Sequence, residues 1–173
     1  MIFESYGVEK YLESNVKDSE TAIHLIKYDP PPTNQPAAGV GANPHTDKSL
    51  LTILDFNLPG LEVLSKDQSQ WLPVGPRPGA FTIFVGDQLK AWSNGRLHIA
   101  PHKVSMRGEK ERYSYALFAS PKNEAVVEAP KELVDEEHPL LFRPFKNMDF
   151  LRFYYSNIYM DNALQGFAGL AVN

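Results

Sequence analysis

Short β-rich runs dominate the hydrophobic pattern in the central part of the chain. Between Ser49 and Ser120 they alternate with clusters of Gly, Pro, Asn and Asp, which are typical turn residues. The predicted strands cover residues 50–56, 61–64, 71–74, 80–85, 102–106 and 112–119. Many short strands at this spacing favour a mainly β fold, either a sandwich or a double-sheet jelly roll.

Helical patterns flank this β-rich region on both sides. Apolar residues from Phe3 to Val16 recur at close to the helical spacing and predict one helix, which starts without a capping signal. A second, short helix is predicted over 87–94, capped by Asp87 and closed by Gly95, and the composition becomes helical again from Lys131. We therefore expect a helix over 1–20 that remains from a longer N-terminal region, a β-rich core over 21–122 and a helical C-terminal extension over 123–173.

The segment between the first helix and the β-rich region begins as a strand and continues as a loop. Residues 22–28 have a strand-like pattern, which three consecutive prolines interrupt from Pro30 onward. A loop rich in Gly, Asn and Pro is predicted to continue from there to Pro44. His45 is the first residue after this predicted loop.

Charge and cysteine usage narrow the classes of function. The formal net charge is −4, and Lys and Arg are mixed among Asp and Glu, so no basic stripe suited to a nucleic acid is present. The chain has no cysteine, which excludes disulfides, thiolate catalysis and Cys-based metal sites. Neither a signal peptide nor an apolar run long enough to cross a bilayer is found. We expect a soluble, cytosolic protein that binds neither nucleic acid nor membrane.

The segment His45-Thr46-Asp47 carries the first candidate chemistry. On an extended chain, residues two apart point to the same face, so both side chains can share one metal ion. Such a pair alone is more often an exposed loop feature, but here it lies between a Pro-rich loop and a predicted strand, and His102 begins another strand. Two imidazoles and one carboxylate on one side of an ion form the facial triad of non-haem iron(II) oxygenases.

A facial triad leaves coordination positions open for a chelating cosubstrate and O2. If 2-oxoglutarate is that cosubstrate, its far carboxylate requires a charged, two-pronged partner, for which arginine is the best side chain. Arg112 and Ser114 lie on one predicted strand and face the same way, so they are the candidates. An isolated Arg112 would more simply be a surface charge.

These residues belong to an ordered series of motifs that resembles the plant 2-oxoglutarate-dependent dioxygenases. The similarity covers about residues 21–155, and the flanks resemble the branch that includes the glucosinolate side-chain dioxygenases. The motifs are His45-Thr46-Asp47, Pro59-Gly60-Leu61-Glu62-Val63, Pro73-Val74, Pro78-Gly79-Ala80-Phe81, Gly86-Asp87-Gln88-Leu89, Ser93-Asn94-Gly95-Arg96, His102-Lys103-Val104 and Arg112-Tyr113-Ser114.

The resemblance implies a double-stranded β-helix, which is a jelly roll with flanking helices. It also implies iron(II) held by His45, Asp47 and His102, with Arg112 and Ser114 on the cosubstrate 2-oxoglutarate, O2 as oxidant and ascorbate as a stimulant. Tyr28 matches one of two tyrosines that precede the prolines in the family and is implied as a further 2-oxoglutarate contact. Asp29 stands where the pattern has the other tyrosine.

The function that the resemblance implies is oxidation of a small plant specialised metabolite, by hydroxylation, desaturation or dealkylation. This oxidation would be coupled to decarboxylation of 2-oxoglutarate to succinate. Two alternatives stay open: a truncated, catalytically inactive metal-binding fragment of such an enzyme, and a cupin-like metalloenzyme that does not use 2-oxoglutarate. Family members carry an N-terminal region about as long as this chain, so we also expect self-association through the surface that it would otherwise cover.

The remaining histidines and aromatic residues are given simpler interpretations. His24, His98 and His138 are expected to be structural or exposed, although His98 is a rival to His102 as third ligand. Phe118 has even spacing from Arg112 and Ser114 and is expected to face the cavity and touch substrate. Other aromatic residues are expected in the core, namely Trp71, Trp92, Phe81 and Phe84.

Overall fold

Ten strands contain more residues than the helices do in the structure, a computed structural model that describes residues 1–32, 39–158, 160 and 162–171. Eight of the strands build two sheets, and β9 and β10 form a separate pair. The strands are β1 (Ser19–Tyr28), β2 (Gly39–His45), β3 (Leu51–Phe56), β4 (Leu61–Leu64), β5 (Trp71–Val74), β6 (Thr82–Val85), β7 (His102–Met106), β8 (Arg112–Pro121), β9 (Val126–Val127) and β10 (Phe145–Lys146).

Two four-stranded antiparallel sheets make up the jelly roll. Their strand orders are β1-β8-β3-β6 and β2-β7-β4-β5. Consecutive strands from β1 to β8 therefore alternate between the two sheets, except for β4 and β5, which are neighbours in one sheet. The predicted mainly β fold is confirmed. Strands β4, β5 and β7 have the predicted bounds, because turn residues delimit them clearly in the sequence.

The even-numbered residues of β8 and β3 face the interior of the jelly roll. Arg112, Ser114 and Ala116 of β8 are buried, as are Thr52 and Phe56 of β3. This alternation is the expected result of packing one face of a sheet on a core. The core between the sheets consists of Phe56, Leu61, Phe84, Val104 and Met106.

The predicted helix from Phe3 to Val16 is wrong as one continuous element. The structure instead has α1 (Ile2–Ser5), a 3-10 turn at Glu9–Tyr11 and α2 (Leu12–Lys17). Gly7 interrupts the helix because it adopts a φ of +65°, a left-handed conformation that glycine tolerates without steric cost. Phe3 and Tyr6 pack against the core, whereas the apolar residues of α2 do not, since Leu12 is 48% and Val16 is 66% exposed.

A second apolar cluster joins the N-terminal segment to the C-terminal extension. It contains Val8 from the N-terminal segment and Trp92 from α3 (Asp87–Trp92). It also contains Phe150 from α4 (Asn147–Ser156) and Leu164 from α5 (Ala163–Ala168). None of the described helices combines the length and the apolar character needed to cross a membrane.

Three other expectations need correction. The loop predicted to reach Pro44 ends early, because residues 39–45 form β2; its residues 33–38 lie outside the described part of the chain. Asp87 does not cap α3, since Gly86 is the N-cap and the Asp87 carboxylate binds Lys48 instead. Phe81 is exposed rather than part of the core, whereas Phe84 and Trp92 are buried as predicted.

Candidate metal centre

Paired strands bring His45 and His102 together. His45 is the last residue of β2, His102 is the first residue of β7, and the two are directly opposite in the antiparallel register. Two β-bulges in β2, between Val40 and Ala42 and between Ala42 and His45, precede this pair. The imidazole rings lie with their centroids 4.4 Å apart.

Asp47 completes a cluster of three candidate ligands. Its Oδ1 atom lies 3.7 Å from Nε2 of His45 and 3.6 Å from Nε2 of His102. Each of the three residues offers one possible ligand atom, and these three atoms lie within 4.8 Å of one another. The three residues predicted as a triad therefore form one cluster.

Hydrogen bonds to the far side of each ligand fix its orientation. Nδ1 of His45 lies 2.7 Å from the carbonyl of Asn43, and Nδ1 of His102 lies 3.1 Å from the carbonyl of Ala100. A proton on each Nδ1 satisfies these carbonyls and leaves both Nε2 atoms as free electron-pair donors. The hydroxyl of Thr52 donates to Oδ2 of Asp47 at 2.6 Å, so Oδ1 remains available for a metal.

Burial and charge favour the protonation states that a metal requires. Burial, followed by the nearby charge of His102, lowers the pKa of His45, which keeps its imidazole neutral. Burial alone would raise the pKa of Asp47, but hydrogen bonds and charge from His102, Thr52 and His45 outweigh it and leave the pKa below its usual value. Two neutral imidazoles and one carboxylate suit a divalent first-row metal.

The ring of His102 is also held by packing. Phe84 stacks on it with centroids 4.1 Å apart and planes 21° apart. His102 and Asp47 are buried, whereas the side chain of His45 is 40% exposed. The cluster is therefore rigid on the His102 side and open on the His45 side, where small molecules can approach.

The other histidines lie outside this cluster. His24, His98 and His138 are exposed, and among the described residues only His45, Asp47 and His102 form a group that could hold a metal. His24 packs against Phe118, with ring centroids 4.9 Å apart. His98 is thus a weaker candidate for the third ligand than His102.

Arg112 offers a charged and unpaired group to a ligand. Its side chain is 1% exposed, and its Nε donates to the carbonyl of Leu58 at 3.1 Å. Within the described part of the chain, Nη1 and Nη2 are buried without a hydrogen-bond partner. An unpaired buried guanidinium is costly unless a ligand such as a carboxylate satisfies it.

Two neighbours of Arg112 extend this candidate anion site. Ser114 is buried on the same strand face, and Tyr28 lies opposite Arg112 in the β1–β8 register, with its ring centroid 5.1 Å from the guanidinium carbon. The Asp29 side chain, by contrast, is 77% exposed and lies 3.2 Å from Nζ of Lys27. Asp29, which differs from the tyrosine of the family pattern, therefore has its side chain in solvent and not at Arg112.

Sequence reasoning missed the residues that support the ligands. Thr52 is a polar residue at an inward position of the apolar strand β3, and that position was the signal that could have revealed it. The contacts of Gln88 and Asn147, which are described below, join residues far apart in sequence and left no such signal.

A comparison of the sequence with family models gives a match over residues 20–121, more than half of the chain. The chain belongs to the 2OG-Fe(II) oxygenase superfamily. The resemblance predicted from the motifs is confirmed, as is the branch, because curated relatives are members of the Arabidopsis AOP group.

Known dioxygenases are similar to this chain in sequence and in structure. "Probable 2-oxoglutarate-dependent dioxygenase AOP1" from Arabidopsis thaliana is 43% identical over 157 residues, which cover 89% of this chain and 52% of the relative. The rice dioxygenase for auxin oxidation is 35% identical with a TM-score of 0.81, covering 95% of this chain and 57% of that protein. JOX2, solved with 2OG, Fe and JA, is 28% identical with a TM-score of 0.77, covering 88% and 45%. The chain thus spans about half the length of the relatives it matches.

Proposed function

We propose that this oxygenase binds iron(II) through His45, Asp47 and His102 and oxidises a small organic molecule with 2-oxoglutarate as cosubstrate. The observation that carries the proposal is the convergence of both Nε2 atoms on Oδ1 of Asp47, at 3.7 and 3.6 Å. Only three protein donors converge there among the described residues, which suits a catalytic metal with open positions rather than a closed structural site.

The proposed partners of 2-oxoglutarate are Arg112, Ser114 and Tyr28. Arg112 supplies two unpaired N–H groups in a fork that matches a carboxylate, and Ser114 adds a hydroxyl on the same strand face. Tyr28 lies close enough to support the same carboxylate. Because Arg112 is buried, its charge is poorly screened by water and binds an anion strongly.

Each residue then has a defined task. Bound iron(II) would supply the chemistry that couples oxidation of the substrate by O2 to the conversion of 2-oxoglutarate to succinate and CO2. His45, Asp47 and His102 hold the metal on one side and leave the other side open. Arg112 orients the cosubstrate, and the apolar lining around Phe84 excludes water.

We propose a small, largely apolar plant specialised metabolite as substrate. Phe118 supports this proposal, because it lies on the inner face of β8 directly opposite Thr52, the residue that binds Asp47. His24 packs against Phe118 and adds a polar group at the same edge of the site. Two structurally similar proteins are a rice dioxygenase for auxin oxidation and JOX2, which was solved in complex with 2OG, Fe and JA. A cytosolic location without nucleic-acid or membrane binding remains part of the proposal.

A catalytically inactive, metal-binding fragment is the second candidate. One relative, 48% identical over 114 residues, is named "Probable inactive 2-oxoglutarate-dependent dioxygenase AOP2" from Arabidopsis thaliana, which keeps this candidate open. In that case iron and 2-oxoglutarate would still bind through the same residues, but no substrate would be oxidised.

Anaerobic visible-absorption titration of the metal-free protein tests the proposed site without knowledge of the substrate. Fe(II) and then 2-oxoglutarate are added to the wild type and to His102→Ala and Arg112→Ala, with His98→Ala as the matched control. We expect a metal-to-ligand charge-transfer band that requires both additions, weakens in the first two variants and persists in the control. A folded wild type without this band would refute the proposal. A band without succinate formation from any supplied substrate would favour the inactive fragment, and activity without 2-oxoglutarate would favour the cupin-like alternative.

A further inference from the structure

Two fully buried amide side chains link the C-terminal extension to residues 46–50. This segment, which contains the candidate ligand Asp47, is called the metal-binding loop below. Gln88 is 0% exposed and Asn147 is 1% exposed. Nε2 of Gln88 donates to Oδ1 of Asn147 at 2.7 Å and to the carbonyl of Lys48 at 2.7 Å. Lys48 directly follows the candidate ligand Asp47, so this amide pair ends on the backbone of the metal-binding loop.

The start of α3 binds three consecutive backbone carbonyls of that loop, those of residues 47–49. The backbone N–H of Asp87 donates to the carbonyl of Asp47 at 2.8 Å, and that of Gln88 donates to the carbonyl of Ser49 at 3.2 Å. The side chain of Gln88 binds the carbonyl between them, that of Lys48. Gly86 permits this close approach, because a Cβ there would lie 2.0 Å from the Ser49 oxygen.

At its other end the amide pair reaches the strand that carries the candidate cosubstrate residues. Nδ2 of Asn147 donates to the carbonyl of Pro121, which is the last residue of β8. The backbone N–H of Asn147, at the start of α4, donates to the carbonyl of Ala125 at 3.0 Å. The position of Asn147 is therefore fixed independently of the metal-binding loop.

The orientation of the Gln88 amide follows from its partners. Both Lys48 and Asn147 present carbonyl oxygens to it, so only the NH₂ group can face them. Its Oε1 has no hydrogen-bond partner within the described residues, and this buried, unpaired acceptor costs free energy. The two strong donor contacts offset that cost, which makes them the stabilising part of the arrangement.

We propose that Gln88 and Asn147 are positioning residues for the metal centre, through which the C-terminal extension sets metal affinity without supplying a ligand. This inference rests on the proposed function, since it assumes that Asp47 binds a metal. Without the amide pair, the Lys48 carbonyl loses its buried donor, and the loop must move to find water. Asp47 would then leave the position that it shares with the two histidines.

Gln88→Met is the most direct test, because methionine has nearly the same length and no donor. Co(II), which reports ligand geometry in its visible spectrum, is titrated into the metal-free protein. We expect Co(II) to bind about 10- to 100-fold more weakly, as is typical when an outer-shell partner of a ligand is removed, with an altered ligand-field spectrum. Asn147→Ala should shift both readouts in the same direction, and the double variant should add little more.

Asn94→Gly is the matched control. Asn94 is also buried, and its amide binds the carbonyl of Leu133 at 3.0 Å and the N–H of Leu141 at 2.9 Å, outside the metal-binding loop. Glycine tolerates its positive φ of 51°. We expect this variant to lower the unfolding temperature but to keep the Co(II) affinity and spectrum of the wild type.

The outcomes separate the inference from the proposed function. Wild-type Co(II) affinity and spectrum in folded Gln88→Met and Asn147→Ala would overturn the positioning role, as would an equal loss of affinity in Asn94→Gly. If Gln88→Met does not fold, Asn147→Ala decides the question. A folded wild-type protein that binds no Co(II) would instead overturn the proposed function, and the inference with it.

Discussion

The Thr52→Val substitution isolates the hydrogen bond that orients the Asp47 carboxylate of the candidate metal centre. Thr52 is 3% exposed, and its hydroxyl donates to Oδ2 of Asp47 at 2.6 Å. Valine has the same shape but no hydroxyl group. Oδ2 of Asp47 would therefore keep its place in the interior but lose this donor.

The expected loss of stability follows from the charge of the acceptor. A buried hydrogen bond to a charged group contributes about 1.5–3 kcal/mol, whereas one between neutral groups contributes about 1 kcal/mol. For a chain of this size, a loss of about 1.5–3 kcal/mol lowers the unfolding temperature by roughly 3–12 °C. Because Asp47 also becomes free to rotate, we expect Co(II) affinity to fall by about 10- to 100-fold.

Thermal unfolding of the metal-free protein and Co(II) titration measure the two effects separately. Thr52→Ser keeps the hydroxyl and should restore most of the Co(II) affinity. Thr82→Val is the matched control, since Thr82 lies on the same inner face but is opposite Leu54 in the register. Unchanged Co(II) affinity in Thr52→Val would refute the reasoning, as would an equal loss in Thr82→Val.

Four further predictions follow from the same geometry. Arg112→Lys keeps the charge but loses the fork, so 2-oxoglutarate should bind about 10-fold or more weakly in the anaerobic titration while Fe(II) still binds. His98→Ala should change Co(II) affinity by no more than about twofold, because the side chain is exposed; a larger loss would make His98 a ligand. Self-association remains a prediction, and since Ile23 is 67% exposed on the outer face of β1, Ile23→Lys should shift sedimentation toward the monomer; a monomeric wild type would contradict it. Deletion of Gly41, the extra residue in the first β-bulge of β2, should abolish Co(II) binding while a cooperative unfolding transition remains; retained binding would show that the bulge does not set the register.

The sequence predicted the β core well because its signals are local. Turn residues delimit β4, β5 and β7, and alternation along β8 places Arg112 and Ser114 on the inner face. The three candidate ligands, which the motifs and the strand pattern indicated together, lie in one cluster in the structure, and their role as metal ligands stays a prediction. Local signals were sufficient wherever one strand or one turn determined the outcome.

Long-range contacts explain what the sequence did not reveal. Asp87 has the position and residue type of a helix cap, yet its carboxylate binds Lys48 at 2.5 Å, 39 residues earlier in the chain. Strand β2 contains two glycines and a proline and lacks alternation, so it looks like a loop; pairing with β7 makes it a strand. In both cases the decisive partner lies in another element, which no local pattern specifies.

The register of β2 against β7 brings these motifs together in the candidate metal centre. β2 begins opposite Met106 at Gly39, and without its two bulges Asn43 rather than His45 would lie opposite His102. The bulges insert two residues into β2, with the result that His45 reaches the position across from His102. Since side chains alternate along a strand, a single missing residue would turn His45 to the other face of the sheet. The spacing between the Pro-rich segment and His45 is therefore as important for the candidate triad as the identities of the ligands themselves.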